Sequence, residues 1–221
     1  MNFEEAKHFL LLNGSGKLDS DGNPLVQQDG FLVTLRPYQG LNEGNFHKIM
    51  EALFIVGQHF SESLFVDREL VTSLWIMCHR ARRWGVEAGG MLRRNRLIAD
   101  NDVARLAEWV DIIEHSTLTM LDGKAPKLAI NRYAQYICEH GAGSNVASFV
   151  PILTSAIDGD ECDDPSTVVI ALGRLGQFAR PALPKLREAA TRTYRFAQPI
   201  ERSTAEVQAH IHEAIIRIEA E

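Results

Sequence analysis

The chain has 221 residues, 45% of them hydrophobic and 24% charged, with a net charge of −6. That balance belongs to a folded chain and excludes a disordered one, and the apolar runs are far shorter than the roughly 20 residues that span a bilayer. The acidity argues against general polyanion binding and for a basic partner. Cys78, Cys138 and Cys162 have no paired spacing, which suits reduced thiols and a cytoplasmic setting. The start, MNFEEAK, is acidic where an export signal is basic.

In chain order, residues 3–12 read as a short helix with Phe3, Ala6, Leu10 and Leu11 apolar. The segment 13–23, NGSGKLDSDGN, is all turn signal. Val26 and the run 31–35 flank Gln28-Asp29-Gly30, the pattern of a β-hairpin. From Asn45 the period becomes helical, with Phe46, Ile49, Met50, Leu53, Phe54 and Gly57 on one face. Asp67 is placed to cap the next helix, whose predicted buried set is Leu70, Leu74, Trp75, Met77 and Cys78. Gly85, Gly89 and Gly90 interrupt that helix. Asn101 or Asp102 would cap another, bearing Val103, Leu106, Trp109, Val110 and Ile113, and Asp122-Gly123 ends it.

The remaining chain falls into helix pairs. From Pro126, one helix carries Leu128, Ile130, Tyr133, Tyr136 and Ile137; after GAGSN (141–145), another carries Val146, Phe149, Ile152, Leu153 and Ile157. From Pro165, Val168, Val169, Leu172 and Leu175 make one stripe; Gly176 breaks it, and Pro181 opens a helix with Leu183, Leu186 and Ala190. A last helix over residues 204–219 carries Val207, Ile211, Ile215 and Ile218.

Asp164-Pro165, the run Val168, Ala171, Leu172, Leu175, Gly176, and then Ala182, Leu183 and Leu186 resemble a HEAT-type repeat. Pro126 and Pro165 stand 39 residues apart, near the roughly 40-residue period of such arrays. The resemblance covers about the last hundred residues. The expected fold is therefore all-α, stacked antiparallel helix pairs, as a HEAT-like solenoid or an irregular helical bundle. An N-terminal helix with a short hairpin or loop, over residues 1–40, would pack on one continuous helical-repeat domain over 41–221.

Chemical motifs are weak. DSDGNPLVQQDG (19–30) begins like a calcium loop, but Pro24 stands where the turn needs glycine and Gly30 where it needs a bidentate glutamate. Cys78/His79, Cys138/His140 and His210/His212 lack chelating spacing. Neither a nucleophile elbow nor a phosphate loop occurs: the GSG at 14–16 has no following Lys-Ser/Thr. No catalytic residue, metal or cofactor is assigned.

Two charged clusters remain. DGDECDD (158–164) packs five carboxylates, Asp158, Asp160, Glu161, Asp163 and Asp164, into seven residues, more than capping a helix at Pro165 needs. It is the expected contact for a basic protein partner. Arg80, Arg82, Arg83, Arg93, Arg94 and Arg96 surround Trp84. They could track a nucleic-acid backbone, or pair with the acidic residues of 100–114. The resemblance permits the first use, since some HEAT-type proteins bind DNA and a few are DNA glycosylases. The leading expectation is a non-enzymatic, cytoplasmic protein-interaction module. In concrete form it is an immunity protein that neutralises a cognate bacterial toxin domain, by analogy of size, acidity and helical scaffold. The alternative is a nucleic-acid-binding protein or glycosylase with a basic face.

Overall fold

A computed structural model of the chain describes residues 1–14, 30–62, 65–122, 126–141, 144–157, 164–194 and 203–220. The described residues are all-α, without a strand. They form two compact units, Met1–Lys124 and Ala125–Glu221. The division falls beside Pro126 and not near residue 40, because the N-terminal segments pack into the first unit.

In that unit α1 (Phe3–Gly14), α2 (Glu43–Glu62), α3 (Arg68–Ala81), α4 (Met91–Arg94) and α5 (Asp100–Leu121) surround one core. Reciprocal capping starts α1: Asn2 Oδ1 accepts from the Glu5 amide at 2.9 Å and Glu5 Oε2 from the Asn2 amide at 2.9 Å. Asn42 accepts from the Asn45 amide at the head of α2. Asp67 caps α3 as expected, taking the Glu69 and Leu70 amides on Oδ1 while Oδ2 pairs with Lys7 of α1 at 2.5 Å. The expected cap of α5 by Asn101 or Asp102 is absent. The helix starts at Asp100 after Ala99, and the Asp102 carboxylate instead accepts from the Tyr38 hydroxyl at 2.5 Å.

The apolar stripe of α2 is buried throughout, and Phe46 stacks on Trp109 of α5 at 4.8 Å with an interplanar angle of 2°. Such a pair contributes about 0.5–1.5 kcal/mol beyond burial. Leu106, Val110 and Ile113 join it in the core, while Val103 is half-buried. Trp75 departs from the expected buried set of α3, being 62% exposed.

Residues 31–35 do not form the expected strand. Phe31, Leu32, Thr34 and Leu35 are buried at i, i+1, i+3 and i+4, which is a turn pattern and not a strand's alternation. Their backbone bonds are local, such as Thr34 N–H to Gly30 O at 3.0 Å and Arg36 N–H to Val33 O at 3.0 Å. A single Leu35–Tyr38 bridge remains. The Gln28-Asp29 part of the hairpin and the 19–29 part of the calcium-like loop lie outside the described residues.

The end of α1 fixes this arrangement. Asn13, 2% exposed, accepts on Oδ1 from the Phe31 amide at 2.7 Å and from Asn45 Nδ2 at 3.1 Å, and donates to Phe9 O at 2.9 Å. One buried amide thus joins α1, the returning chain and α2. Next to it, a Cβ on Gly14 would stand 2.2 Å from the Ser73 carbonyl oxygen of α3. Ser73 Oγ in turn donates to Leu10 O at 3.0 Å.

In the second unit α6 (Pro126–His140), α7 (Val150–Ala156), α8 (Pro165–Arg174), α9 (Leu183–Ala189) and α10 (Thr204–Ala220) are joined partly by 3-10 turns at Ser144–Phe149 and Gly176–Ala182. Asp164 caps α8, and Val168, Val169, Leu172 and Leu175 are all buried. Gly176 ends the helix with φ +52°. Pro181 does not open the following helix but sits inside the 3-10 turn. The α-helix starts at Leu183 with Pro184 in its first turn, and its buried residues are Leu186 and Ala189. Leu183 and Ala190 are half-buried. Helix α8 packs against both α6 and α10. Gly173 allows the second contact, since its Cβ would lie 3.1 Å from Ala214 Cα. A Ser203–Glu206 capping box starts α10, whose buried stripe is Val207, Ile211, Ala214 and Ile218, with Ile215 half-buried.

Gly14→Ala should destabilise the protein by about 2–3 kcal/mol, because backbone and not a side-chain tip meets the new methyl. Urea unfolding of the full chain measures this; a change under about 0.5 kcal/mol would mean that α1 and α3 do not touch there. A second expectation concerns pH. His47 is 2% exposed, and burial lowers its pKa to about 4 against a smaller upward pull from Glu43. The unfolded imidazole therefore binds its proton first as pH falls. Stability should drop from about pH 6.5 down to about 4, by on the order of 3 kcal/mol. His47→Gln should flatten that slope in a pH series of unfolding curves; an unchanged slope would contradict a neutral buried His47.

Candidate functional site

Helix α3 has two faces. Leu70, Ser73, Leu74, Met77 and Ala81 point into the core. Val71, Trp75, Cys78, His79 and Arg82 recur at i, i+4, i+7, i+8 and i+11 beside them, a second stripe. On α5, Glu114, Thr117, Leu118 and Leu121 recur at i, i+3, i+4 and i+7. The two rows line one open groove of about 300 Å³, with Leu74 and Cys78 as its floor.

The groove is mostly apolar. Trp75 and Leu118 are 62% and 67% exposed. Trp75 stacks on His79 at 4.6 Å and 9°, which orders the indole without covering it. The Thr117 hydroxyl is spent on the Ile113 carbonyl at 2.7 Å, so it offers the groove its methyl. Burial pushes the Cys78 thiol well above its ordinary range, with Glu114 adding to the rise and Arg82 opposing it. Cys138, half-buried on α6, is pushed up to about 11, mainly by burial. Neither thiol has the thiolate character a nucleophile needs.

Charge sits at the groove's mouth. Arg82 Nη2 donates to Asp111 Oδ1 at 2.8 Å and to Glu114 Oε2 at 2.6 Å. Two carboxylates share one guanidinium, so the group keeps a net negative charge. The alternative that basic residues pair with the acidic helix thus holds for Arg82.

The other arginines of the cluster make separate contacts. Arg80 lies over Trp84 at 5.9 Å, and Arg36, which the sequence reading did not single out, lies over the same ring at 5.7 Å. Arg93 donates to Val86 O at 3.1 Å. Arg83, Arg94 and Arg96 are exposed, and Arg96 has φ +55° at the turn after α4. Of the acidic loop, Asp158, Asp160, Glu161 and Asp163 lie outside the described residues. Asp164 is a cap: Oδ1 accepts from the Ser166 and Thr167 amides at 3.1 and 3.4 Å, and Oδ2 from Thr167 Oγ1 at 2.6 Å.

Sequence reasoning missed Trp75 and Leu118 as surface residues. The signal was present as the second stripe of α3, but one more apolar residue beside Leu74 reads naturally as core. The chain matches no family model, no curated protein and no solved structure.

Iodoacetamide at pH 8 on the native protein should leave Cys78 and Cys138 unmodified, while a small neutral quencher should reach Trp75. Peptide mass spectrometry reads the first. Loss of most quenching in Trp75→Phe reads the second. Rapid alkylation of Cys78 or quenching unchanged in Trp75→Phe would contradict this groove.

Proposed function

We propose that the chain is a protein-interaction module whose docking surface is the α3–α5 groove. The observation that carries the reading is Trp75, a large aromatic standing exposed over an apolar floor. Covering Trp75 and Leu118 would yield a few kcal/mol at roughly 25 cal/mol per Å², and aromatic anchors of this kind dominate interface energetics. The partner's chemistry follows from the rim. Asp111 and Glu114 outweigh Arg82, so a partner segment with apolar side chains flanked by lysine or arginine is complementary. The net charge of −6 favours the same sign of partner.

In its concrete form the module is an immunity protein that occludes a basic toxin domain. The acidic residues Asp158, Asp160, Glu161 and Asp163 would add long-range steering. The packing of α8 against both α6 and α10 supports the likeness to HEAT-type arrays, in which stacked helices free one face for binding. Commitment of Arg82 to two carboxylates weakens the competing nucleic-acid reading.

The test compares four full-length tagged chains in nuclease-treated lysate of the native host: wild type, Trp75→Ala with Leu118→Ala, a charge reversal at Asp158, Asp160 and Glu161, and a charge reversal at Arg93 and Arg94. The groove variant should lose at least tenfold of one stoichiometric basic protein. The acidic reversal should reduce its capture in a salt-dependent way, and the arginine reversal should leave it unchanged. Once purified, that partner should lose its own activity when the wild-type chain is added. Equal recovery by the groove variant, or recovery of nucleic acid alone without nuclease, would overturn the reading.

A further inference from the structure

A second pocket, of about 180 Å³, opens where α1 ends, lined by Leu12, Leu32, Val33, Arg36, Arg80 and Trp84 among others. Local structure brings its cations together. Arg80 is one turn before Trp84, and the chain between them passes from α3 into a π-helical turn at Arg82–Val86. Gly85 inside that turn faces Leu106 so closely that a Cβ would lie 2.4 Å from it, which packs the turn against α5. Arg36 comes from the turn anchored by buried Phe31, Leu32 and Leu35. The core thus delivers both arginines to one indole.

We propose that Arg36, Arg80 and Trp84 form a binding site for a small phosphate monoester. The two guanidinium groups lie over the same ring at 5.7 and 5.9 Å, and neither has a carboxylate partner among the described residues. Arg82, close by in sequence, shows the contrast by taking two carboxylates. Both side chains line the same pocket, and cation–π contact of about 0.5–1 kcal/mol each leaves their charge unneutralised. A dianion would neutralise both, and its three terminal oxygens match two planar donor forks better than a point charge or a monocarboxylate does. Leu12, Leu32 and Val33 give the ester's organic part an apolar wall. The guanidiniums supply the charge at Trp84, so the ligand is held chiefly by its phosphoryl group. This site is separate from the α3–α5 groove and does not depend on it.

The test follows the Trp84 indole N–H in ¹⁵N-labelled full-length protein, assigned by its loss in Trp84→Phe, at low ionic strength. Phenyl phosphate should move that signal saturably. The affinity should fall at least tenfold in Arg36→Gln and in Arg80→Gln and stay unchanged in Arg94→Gln, with the remaining spectrum reporting an intact fold. Titrations insensitive to Arg36→Gln and Arg80→Gln would overturn the proposal. Benzoate binding as tightly as phenyl phosphate would overturn the dianion assignment. Saturation by a 5′-phosphorylated oligonucleotide but not by phenyl phosphate would transfer the site from a small ester to a nucleic-acid end.

Discussion

The N-terminal unit depends on how closely α1 and α3 approach. At Gly14 there is no room for a methyl group against the Ser73 carbonyl, and the adjacent Asn13 amide is buried with each end hydrogen-bonded. A buried amide costs several kcal/mol unless it is satisfied, so its three partners must be in place together. Phe9 lies on α1 itself, Phe31 on the returning chain and Asn45 on α2. The contact therefore sets where three segments meet, and Lys7–Asp67 ties the same two helices nearer the start of α3.

That contact decides which side of α3 is left over. With Ser73 against α1 and Leu70, Leu74 and Met77 in the core, Trp75 has nowhere to point but outward. A neighbouring helix, α5, is held at its own core face by the Phe46–Trp109 stack. Its Leu118 is left on the same groove. Arg82 bridges the two walls through Asp111 and Glu114. An exposed pair of this kind adds little stability, up to about 1 kcal/mol. Its greater effect is to give the apolar groove a negative rim. The same helix carries Arg80 toward the end of α1, so one rigid element presents two different surfaces: an apolar groove and a cationic pocket.

Much of this fold could be read from period alone. The Asp67 and Asp164 caps and the stripes of α2 and α8 appear where spacing and capping chemistry place them. The failures have physical causes. Residues 31–35 have strand-like composition, yet their burial at i, i+1, i+3 and i+4 comes from packing against a core assembled by residues far away in sequence. Pro181 can open a helix, but here it sits in a 3-10 turn, and the α-helix waits for Leu183. The α3–α5 groove, the proposed docking surface, was least legible. Trp75 and Leu74 are neighbours of nearly equal apolarity, and only the tertiary position of α1 makes one floor and the other rim. Arg36 and Arg80 are likewise joined by topology, with no sequence motif to announce them.

On the proposed function, Trp75 meets a partner. The most direct measurement replaces Trp75 with a photo-crosslinking aromatic residue in the native host and identifies what it captures on irradiation. Ile216, 66% exposed on α10, serves as the control position. One crosslinked protein is expected at position 75, joined through a segment with apolar residues beside lysine or arginine, and none of it at 216. The same products at both positions, or none at 75 while the chain still functions, would contradict it.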